Sequence, residues 1–229
     1  MSASAGVGGD GAAVTCLRQA ITAVLPGDIA VAGGTIEAAA DALFPIEAAA
    51  IARAVDKRRR EFTAGRTYAR RALALLGCAP GPIPMGSDRR AIWPPGFIGS
   101  ISHSRHLCAA IAAASSRYIG LGLDVEDDTP IDDAALRDRI CRPEEKASDG
   151  VDRTKLLFVI KEAVFKAYFP EGGAFLDFSD VSVTLDLARQ SFSAALARPE
   201  LPRLAGRAAF AGGFRCVENH VIVAVAIAR

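Results

Sequence analysis

The sequence predicts a mixed α/β (α+β) fold built from two similar halves. With 229 residues, 51% of them hydrophobic, the chain is long enough to bury one large core or two smaller ones. Segments with helical spacing of apolar residues are followed by short apolar runs typical of strands. This order occurs twice, before and after about residue 119, although the halves share no convincing sequence identity. We therefore predict a disordered N-terminus at 1–13, an N-terminal half at 14–118 and a C-terminal half at 119–229.

Composition and charge exclude several classes of protein. The 27 basic and 26 acidic residues leave a formal net charge of +1, so no overall field indicates a nucleic-acid or membrane partner. The five cysteines are odd in number and widely spaced, which argues against a disulfide framework or a zinc site and favours a reducing cytoplasm. No apolar run approaches the ~20 residues that span a bilayer, and the N-terminus lacks the pattern of a secretory signal.

The first elements are predicted to be helices. Segments 15–25 and 35–54 are rich in alanine, with a Pro-Gly break between them and Pro45 ending or kinking the second. Asp56 is expected to cap a helix over 57–76, whose apolar residues follow helical spacing.

Arginines on that last helix form a candidate anion-binding stripe. Arg58, Arg66 and Arg70 are spaced by eight and four residues, close to whole helical turns, so they share one side. The stripe is either a solvated charged face or a grip on an anionic ligand.

A structured loop and three strands come next. The loop at 78–97 contains Trp93, a large side chain that is not expected in a flexible linker, so we predict an ordered loop. Strands are predicted at 97–104, 107–114 and 118–124. At the end of the first strand lies His103, which is either structural or a phosphate ligand. Neighbouring serines favour the second interpretation, because they leave room and hydroxyl groups for a phosphate.

The third strand ends in two carboxylates, Asp124 and Glu126. Alternate residues of a strand share a face, so both project the same way and repel each other. They lie either in open water, as a solvated acidic turn, or around a hard divalent cation with oxygen ligands.

A second long helix is predicted over 155–169, with Lys161, Glu162 and Lys166 on it. Glu162 and Lys166 lie four residues apart, which alone predicts no more than a helical ion pair contributing ~0.3–0.5 kcal/mol. The remaining chain is expected to form strands, at 178–185, 191–196, 205–215 and 220–228.

Three separated blocks stand out when they are taken together: Gly-Ser-Ile-Ser-His-Ser at 99–104, Ile-Gly-Leu-Gly-Leu-Asp-Val-Glu at 119–126, and Phe-Val-Ile-Lys-Glu-Ala-Val-Phe-Lys at 158–166. In this order and at these intervals they resemble the phosphopantetheinyl transferases of the surfactin type, and their enterobactin-synthetase branch in particular. The resemblance covers roughly residues 56–180 and includes Arg-Glu-Phe with Gly-Arg at 60–66.

This resemblance implies a Mg²⁺-dependent enzyme that transfers the 4′-phosphopantetheine arm of coenzyme A to a serine of an acyl or peptidyl carrier protein. The second product is adenosine 3′,5′-bisphosphate. The implied fold has two pseudo-twofold-related α/β halves, in a monomer with coenzyme A between them. The enterobactin-like features point to carrier domains of nonribosomal peptide, polyketide or siderophore synthesis, with fatty-acid synthesis as the open alternative.

The resemblance also implies residue roles. Asp124, Glu126 and Glu162 would bind Mg²⁺. Glu162 would also accept the serine proton, directly or through water, and Lys166 would stabilise the leaving bisphosphate or assist the transfer. The other matches are expected to bind coenzyme A: Arg58, Arg66, Arg89, Arg90, Ser102, His103 and Lys161.

The sequence departs from the family pattern at two positions, and two other functions are compatible with parts of it. Met85 stands where some relatives carry a lysine, and Gly122 replaces a branched residue, which we expect to loosen its strand. The alternative is a non-catalytic coenzyme A-binding module of the same fold, which needs arginines but not three converging carboxylates. A nucleic-acid binder conflicts with the near-zero net charge.

Overall fold

The structure, a computed structural model, describes residues 7–39, 41–146 and 150–229. Five α-helices are found in these ranges: α1 (Val7–Thr22), α2 (Pro45–Ala50), α3 (Asp56–Leu75), α4 (Ala134–Ile140) and α5 (Thr154–Gly172). The eight strands are β1 (Ala30–Thr35), β2 (Phe97–His103), β3 (Leu107–Ala114), β4 (Tyr118–Asp127), β5 (Val181–Asp186), β6 (Ser191–Leu196), β7 (Ala209–Val217) and β8 (His220–Ala228). Short 3₁₀ turns lie at Pro143–Glu145 and Phe178–Asp180.

The strands form two antiparallel sheets, each covered by one long helix. One sheet has the order β1-β3-β2 and packs against α3, while the other has the order β4-β8-β7-β6-β5 and packs against α5. Side chains of the first helix α1 pack between the sheets, on residues of β3, β4 and β8. This combination confirms the predicted α+β class.

The same connection order occurs in both sheets. In each, a first strand (β1 or β4) is followed by the long helix (α3 or α5) and later by a hairpin whose last strand pairs with the first. Strands β5 and β6 extend the second sheet beyond this shared unit. The topology is therefore repeated, while the domain boundary at residue 119 stays a prediction.

The two sheets meet where β2 lies beside β4. Ser100 Oγ accepts the backbone N–H of Leu123 at 3.0 Å, and Ser102 Oγ accepts that of Val125 at 3.1 Å. Both serine side chains are buried, and among the described residues no strand pairs with β4 on this side. The two hydroxyl groups therefore satisfy backbone N–H groups of β4 that a neighbouring strand would otherwise bind. The contact fixes the acidic end of β4 against the N-terminal sheet.

The N-terminal region differs most from the prediction. The helix predicted over 35–54 is wrong for most of its length, because α2 covers only Pro45–Ala50 and β1 precedes it. Strand β1 pairs with β3 along its whole length. A Cβ atom at Gly34 would lie 2.2 Å from the hydroxyl of Tyr68, so close helix packing requires glycine here. The predicted disorder at 1–13 lies partly outside the described residues, and from residue 7 the chain is helical.

Two further findings concern the class of protein. The described part of the chain has no helix long and apolar enough to span a membrane. All five cysteines are free.

Candidate active site

A cleft of about 330 Å³ lies between α3, β2 and the loop after α3 on one side and β4 and α5 on the other. Five cationic side chains among the described residues line it: Arg58, Arg66, Arg89, Arg90 and Lys166. His103 also lines it, together with two carboxylates, Glu61 and Glu171. The excess of positive charge suits an anionic ligand, and the volume lies in the range of small-molecule sites.

Arg66 is the most buried of these cations. Only 5% of the residue is exposed, and its Nε donates to the carbonyl oxygen of Ile83 at 2.7 Å. Its guanidinium lies 4.2 Å from the ring centre of Phe62, within cation–π distance. Burial lowers the pKa of Arg66 to about 10, although the negative charge of Glu47 opposes this shift. Arg66 therefore remains positive at neutral pH and is held in one orientation.

Arg58 and His103 share a carboxylate at the edge of the cleft. A guanidinium nitrogen of Arg58 lies 3.7 Å and Nε2 of His103 lies 3.8 Å from Oε2 of Glu61. Both distances are too long for good hydrogen bonds. Arg58 and His103 can therefore turn toward an anion in the cleft at little cost.

Arg89 and Arg90 lie on a hairpin-like loop that begins after Ile83. A bridge between Met85 and Ala91 closes this loop, and Arg89 has a positive φ of 69° at its turn. The guanidinium of Arg90 lies 4.9 Å from the ring centre of Phe169 on α5, across the cleft. The loop therefore connects the two walls.

The predicted stripe on α3 does not continue to its third arginine. Arg70 does not line the cleft but pairs at 2.9 Å with Glu47, a carboxylate that is fully buried. Arg58 and Arg66 face the cleft, so the anion-grip interpretation is favoured for these two alone.

The acidic group lies beside the cleft, where β4 meets α5. Asp124 is 4% exposed, and its Oδ1 accepts Ser102 Oγ at 2.9 Å and Lys166 Nζ at 2.6 Å. Its other oxygen, Oδ2, is buried and finds no hydrogen-bond partner among the described residues. A buried carboxylate oxygen without a donor is costly, so this atom is suited to meet a cation or a ligand.

Glu162 on α5 faces this group. Its pKa is raised, first by burial and then by the negative charges of Asp124 and Glu126, while Lys166 acts against the shift. The three carboxylates that the sequence singled out are therefore close enough to interact. Glu126 also pairs with Lys155 at 3.2 Å.

The donor set fits a hard divalent cation in its chemistry, since it offers three carboxylates and an orphaned oxygen. Within the described ranges, however, no group of three His, Cys, Asp or Glu side chains is arranged to hold a metal ion. Lysines occupy an oxygen of Asp124 and one of Glu126. Magnesium binding therefore stays a prediction.

Glycines let α5 approach β4 closely. A Cβ atom at Gly122 would lie 1.9 Å from the carbonyl oxygen of Ala163, and one at Gly120 would lie 2.3 Å from that of Ala167. Ala163 follows Glu162 directly in the chain. Gly122 therefore has a packing role that the sequence did not indicate, because the missing side chain permits the contact that brings Glu162 to Asp124.

Two predicted coenzyme A ligands have other partners. The three N–H donors of Lys161 point away from the cleft, to the carbonyl oxygens of Ile140 at 2.7 Å and Phe178 at 3.0 Å and to Glu145 at 2.7 Å. An ammonium group has three donors, so none remains for a phosphate. The prediction for Lys161 is wrong, since this side chain fastens α5 to its surroundings.

Ser102 is the second correction. Its hydroxyl donates to Asp124 and accepts from Val125 N–H and Lys166 Nζ, the latter at 3.2 Å. One donor and two acceptor sites are thereby all used. Ser102 therefore orients Asp124 and Lys166 and does not bind a phosphate here.

Sequence reasoning missed several residues at the site. Glu61 belongs to the Arg-Glu-Phe motif at 60–62, which predicted no role for it, although its position three residues after Arg58 indicated a contact. Phe165 and Phe169 form an apolar wall of the cleft, with ring centres 5.0 Å apart. Lys155, which pairs with Glu126, carried no signal in the sequence because the contact spans 29 positions.

Two family models match this chain over most of its length. Residues 46–113 match the model of the 4′-phosphopantetheinyl transferase N-terminal domain, and residues 120–220 match that of the 4′-phosphopantetheinyl transferase superfamily.

Curated relatives agree with these family matches. The chain is 37% identical over 196 residues to the 4′-phosphopantetheinyl transferase Svp of Streptomyces mobaraensis, covering 81% of this chain and 79% of that protein. It is 34% identical over 148 residues to the 4′-phosphopantetheinyl transferase Npt of Nocardia iowensis, covering 62% and 66%. Enterobactin synthase component D of Salmonella typhimurium is 41% identical over 70 residues, only 31% of this chain and 28% of that protein.

Proposed function

The chain belongs to the 4′-phosphopantetheinyl transferase superfamily, and we propose that it transfers the 4′-phosphopantetheine arm of coenzyme A to a serine of an acyl or peptidyl carrier protein. The observation that carries this proposal is the cationic cleft, which ends at Lys166 and lies beside the buried acidic group. The non-catalytic module is set aside, because the relatives of greatest coverage are named as transferases.

Coenzyme A is an anion with a pyrophosphate and a ribose phosphate, and the cleft offers charge for both. Arg58, Arg66 and His103 line it from α3 and β2, and Arg89 and Arg90 from the loop. Arginine forms paired hydrogen bonds to phosphate in a fixed plane, which suits the held guanidinium of Arg66. We assign these five side chains to coenzyme A binding.

The reaction forms a bond between the carrier serine oxygen and the phosphorus that bears the pantetheine arm. The bond from that phosphorus to the bridging oxygen of the pyrophosphate breaks, and its electron pair leaves with adenosine 3′,5′-bisphosphate. Glu162 accepts the serine proton, a role that its raised pKa supports, since a stronger base accepts a proton more readily. Lys166 is placed to stabilise the negative charge of the leaving group.

In this proposal Asp124, Glu126 and Glu162 would hold Mg²⁺, with the orphaned Oδ2 of Asp124 as the clearest ligand atom. When bound, the ion would neutralise charge on the pyrophosphate. Binding requires Lys166 to release Oδ1 of Asp124 or to share that carboxylate with the ion. A freed Lys166 ammonium then faces the cleft, which it already lines.

We further propose that the enzyme is a monomer of the surfactin-type class, acting in the cytoplasm on carrier domains of nonribosomal peptide, polyketide or siderophore synthesis. The match to enterobactin synthase component D over 70 residues supports this finer assignment only in part of the chain. A panel of apo carrier domains, each incubated with the enzyme and a fluorescent coenzyme A, would identify the preferred partner.

The transfer itself is tested with intact-protein mass spectrometry. Purified enzyme, coenzyme A, Mg²⁺ and an apo carrier protein should yield carrier with the mass of one added phosphopantetheine. Omitting the enzyme, or replacing the acceptor serine of the carrier by alanine, provides the controls. A carrier that stays in its apo form across the whole panel would contradict the proposed function.

A further inference from the structure

A buried glutamate, Glu47, lies behind the cationic wall of the cleft and does not line it. Its two carboxylate oxygens accept four hydrogen bonds. Oε1 accepts from Arg70 at 3.0 Å and from the backbone N–H of Ile83 at 2.8 Å. Oε2 accepts from Arg70 at 2.9 Å and from the N–H of Phe44 at 2.9 Å. This side chain is therefore a junction between α2, α3 and the loop after α3.

The peptide of Ile83 connects this junction to the cleft. Its N–H is held by Glu47, and its carbonyl oxygen is held by Arg66. Ile83 is fully buried and directly precedes the hairpin-like loop that carries Arg89 and Arg90. Arg66 is thus bonded directly to Ile83, and Arg89 and Arg90 follow Ile83 in the loop that starts from it.

A second glutamate repeats the arrangement in the other half of the chain. Glu47 and Glu145 each lie two residues after a proline that begins a helical turn, and each accepts the N–H of the residue before that proline. Each pairs with a cation of the long helix, Arg70 or Lys161. Each also accepts a backbone N–H from beyond its long helix. For Glu47 this is the N–H of Ile83, 36 residues later, and for Glu145 it is that of Val183, 38 residues later.

The repeat makes the two glutamates a matched pair with different neighbours. The Glu145 side chain is 1% exposed and holds α5 and the N–H of Val183 in β5, so it has no contact with the arginine wall. Glu47 alone of the two touches the peptide that anchors Arg66. A loss of either carboxylate removes a buried ion pair, but only one of them displaces the arginines.

We propose that Glu47 is a positioning residue for coenzyme A binding, acting through the Ile83 peptide on Arg66 and on the loop of Arg89 and Arg90. This inference rests on the proposed function. Glu47→Gln preserves the side-chain size, but its NH₂ group cannot accept one of the backbone N–H groups that the carboxylate holds. The variant also removes a negative charge behind the cleft. That change alone would strengthen attraction of an anion, so weaker binding must come from lost positioning.

The test measures coenzyme A affinity by isothermal titration calorimetry in wild type, Glu47→Gln and Glu145→Gln. We expect the dissociation constant to rise about tenfold in Glu47→Gln and to change less than about threefold in Glu145→Gln, tenfold being about 1.4 kcal/mol. In transfer assays with saturating carrier protein, Glu47→Gln should raise KM for coenzyme A about as much while kcat stays within about threefold. A general loss of stability would not produce this split.

Circular dichroism first verifies that each variant is folded. If Glu47→Gln is not, the double variant Glu47→Gln with Arg70→Met replaces it, because removing both charges of a buried pair is far less destabilising than removing one. If the wild type binds coenzyme A and Glu47→Gln binds it with the same affinity, the inference is wrong but the proposed function stands. The same holds if Glu47→Gln and Glu145→Gln weaken coenzyme A binding equally. A wild-type protein that fails to bind coenzyme A overturns the proposed function and the inference together.

Discussion

Replacing Gly122 with alanine would test whether close packing of α5 on β4 creates the acidic group. The added Cβ would lie 1.9 Å from the carbonyl oxygen of Ala163, whereas ordinary contact begins at 3.4 Å. Helix and strand would have to separate by about 1.5 Å, the difference between these distances, because the carbonyl oxygen belongs to the backbone of α5 and the added Cβ is fixed to the backbone of β4. Overpacking of this kind costs about 1–3 kcal/mol of unfolding free energy. A displacement of about 1 Å at a catalytic group reduces the rate by about 10²-fold.

The assay for this variant combines urea unfolding with single-turnover transfer to an apo carrier protein. Gly27→Ala is the matched control, because a Cβ atom there meets nothing within 4 Å and the residue has no positive φ. We expect Gly27→Ala to retain wild-type stability and rate. Gly122→Ala with the stability and rate of the control would refute the view that glycine is needed for the contact between α5 and β4.

Three other substitutions have distinct expected results. Glu162→Gln should abolish transfer yet raise the melting temperature. The pKa of Glu162 is raised in the folded state, so its favourable contribution exists at low pH and is lost as pH rises through that value. The increase in melting temperature caused by Glu162→Gln should therefore grow from acidic to neutral pH. An increase that becomes smaller as pH rises would contradict the raised pKa of Glu162. Arg66→Lys should raise KM for coenzyme A about tenfold, because lysine keeps the charge but loses the planar donor pair, and an unchanged KM would remove Arg66 from the binding set. Lys161→Met should cost about 3–5 kcal/mol in urea unfolding, because it leaves Glu145 as an unpaired buried charge, while coenzyme A affinity stays the same. Weak coenzyme A binding at wild-type stability would instead restore Lys161 as a ligand.

The sequence indicated the strands, the long helices and the acidic residues because these depend on local patterns. Alternation places Asp124 and Glu126 on one face wherever the strand lies, and helical spacing brings Arg58 near Arg66. The interaction of Glu162 with both carboxylates also followed from the resemblance, which joins distant blocks.

Other features depended on partners far away in the chain. Strand β1 is made of alanine, valine, glycine and threonine, and its pairing with β3 rather than its own propensity makes it a strand. The resemblance makes Lys161 a coenzyme A ligand next to Glu162, but consecutive helical residues point in different directions, and the direction of Lys161 is set by Glu145. The packing role of Gly122 depends on its distance to Ala163 on another element, which the sequence does not show.

The strongest test of the proposed mechanism measures coenzyme A binding and arm transfer separately in Asp124→Ala. In the proposed mechanism a cationic wall binds coenzyme A, and the transfer requires an acidic group centred on Asp124. Calorimetry without metal measures the affinity for coenzyme A, and a single-turnover assay with Mg²⁺ then measures the transfer rate of the same protein sample. We predict that Asp124→Ala binds coenzyme A within about threefold of wild type and transfers no detectable arm. Transfer at the wild-type rate by this variant would contradict the account.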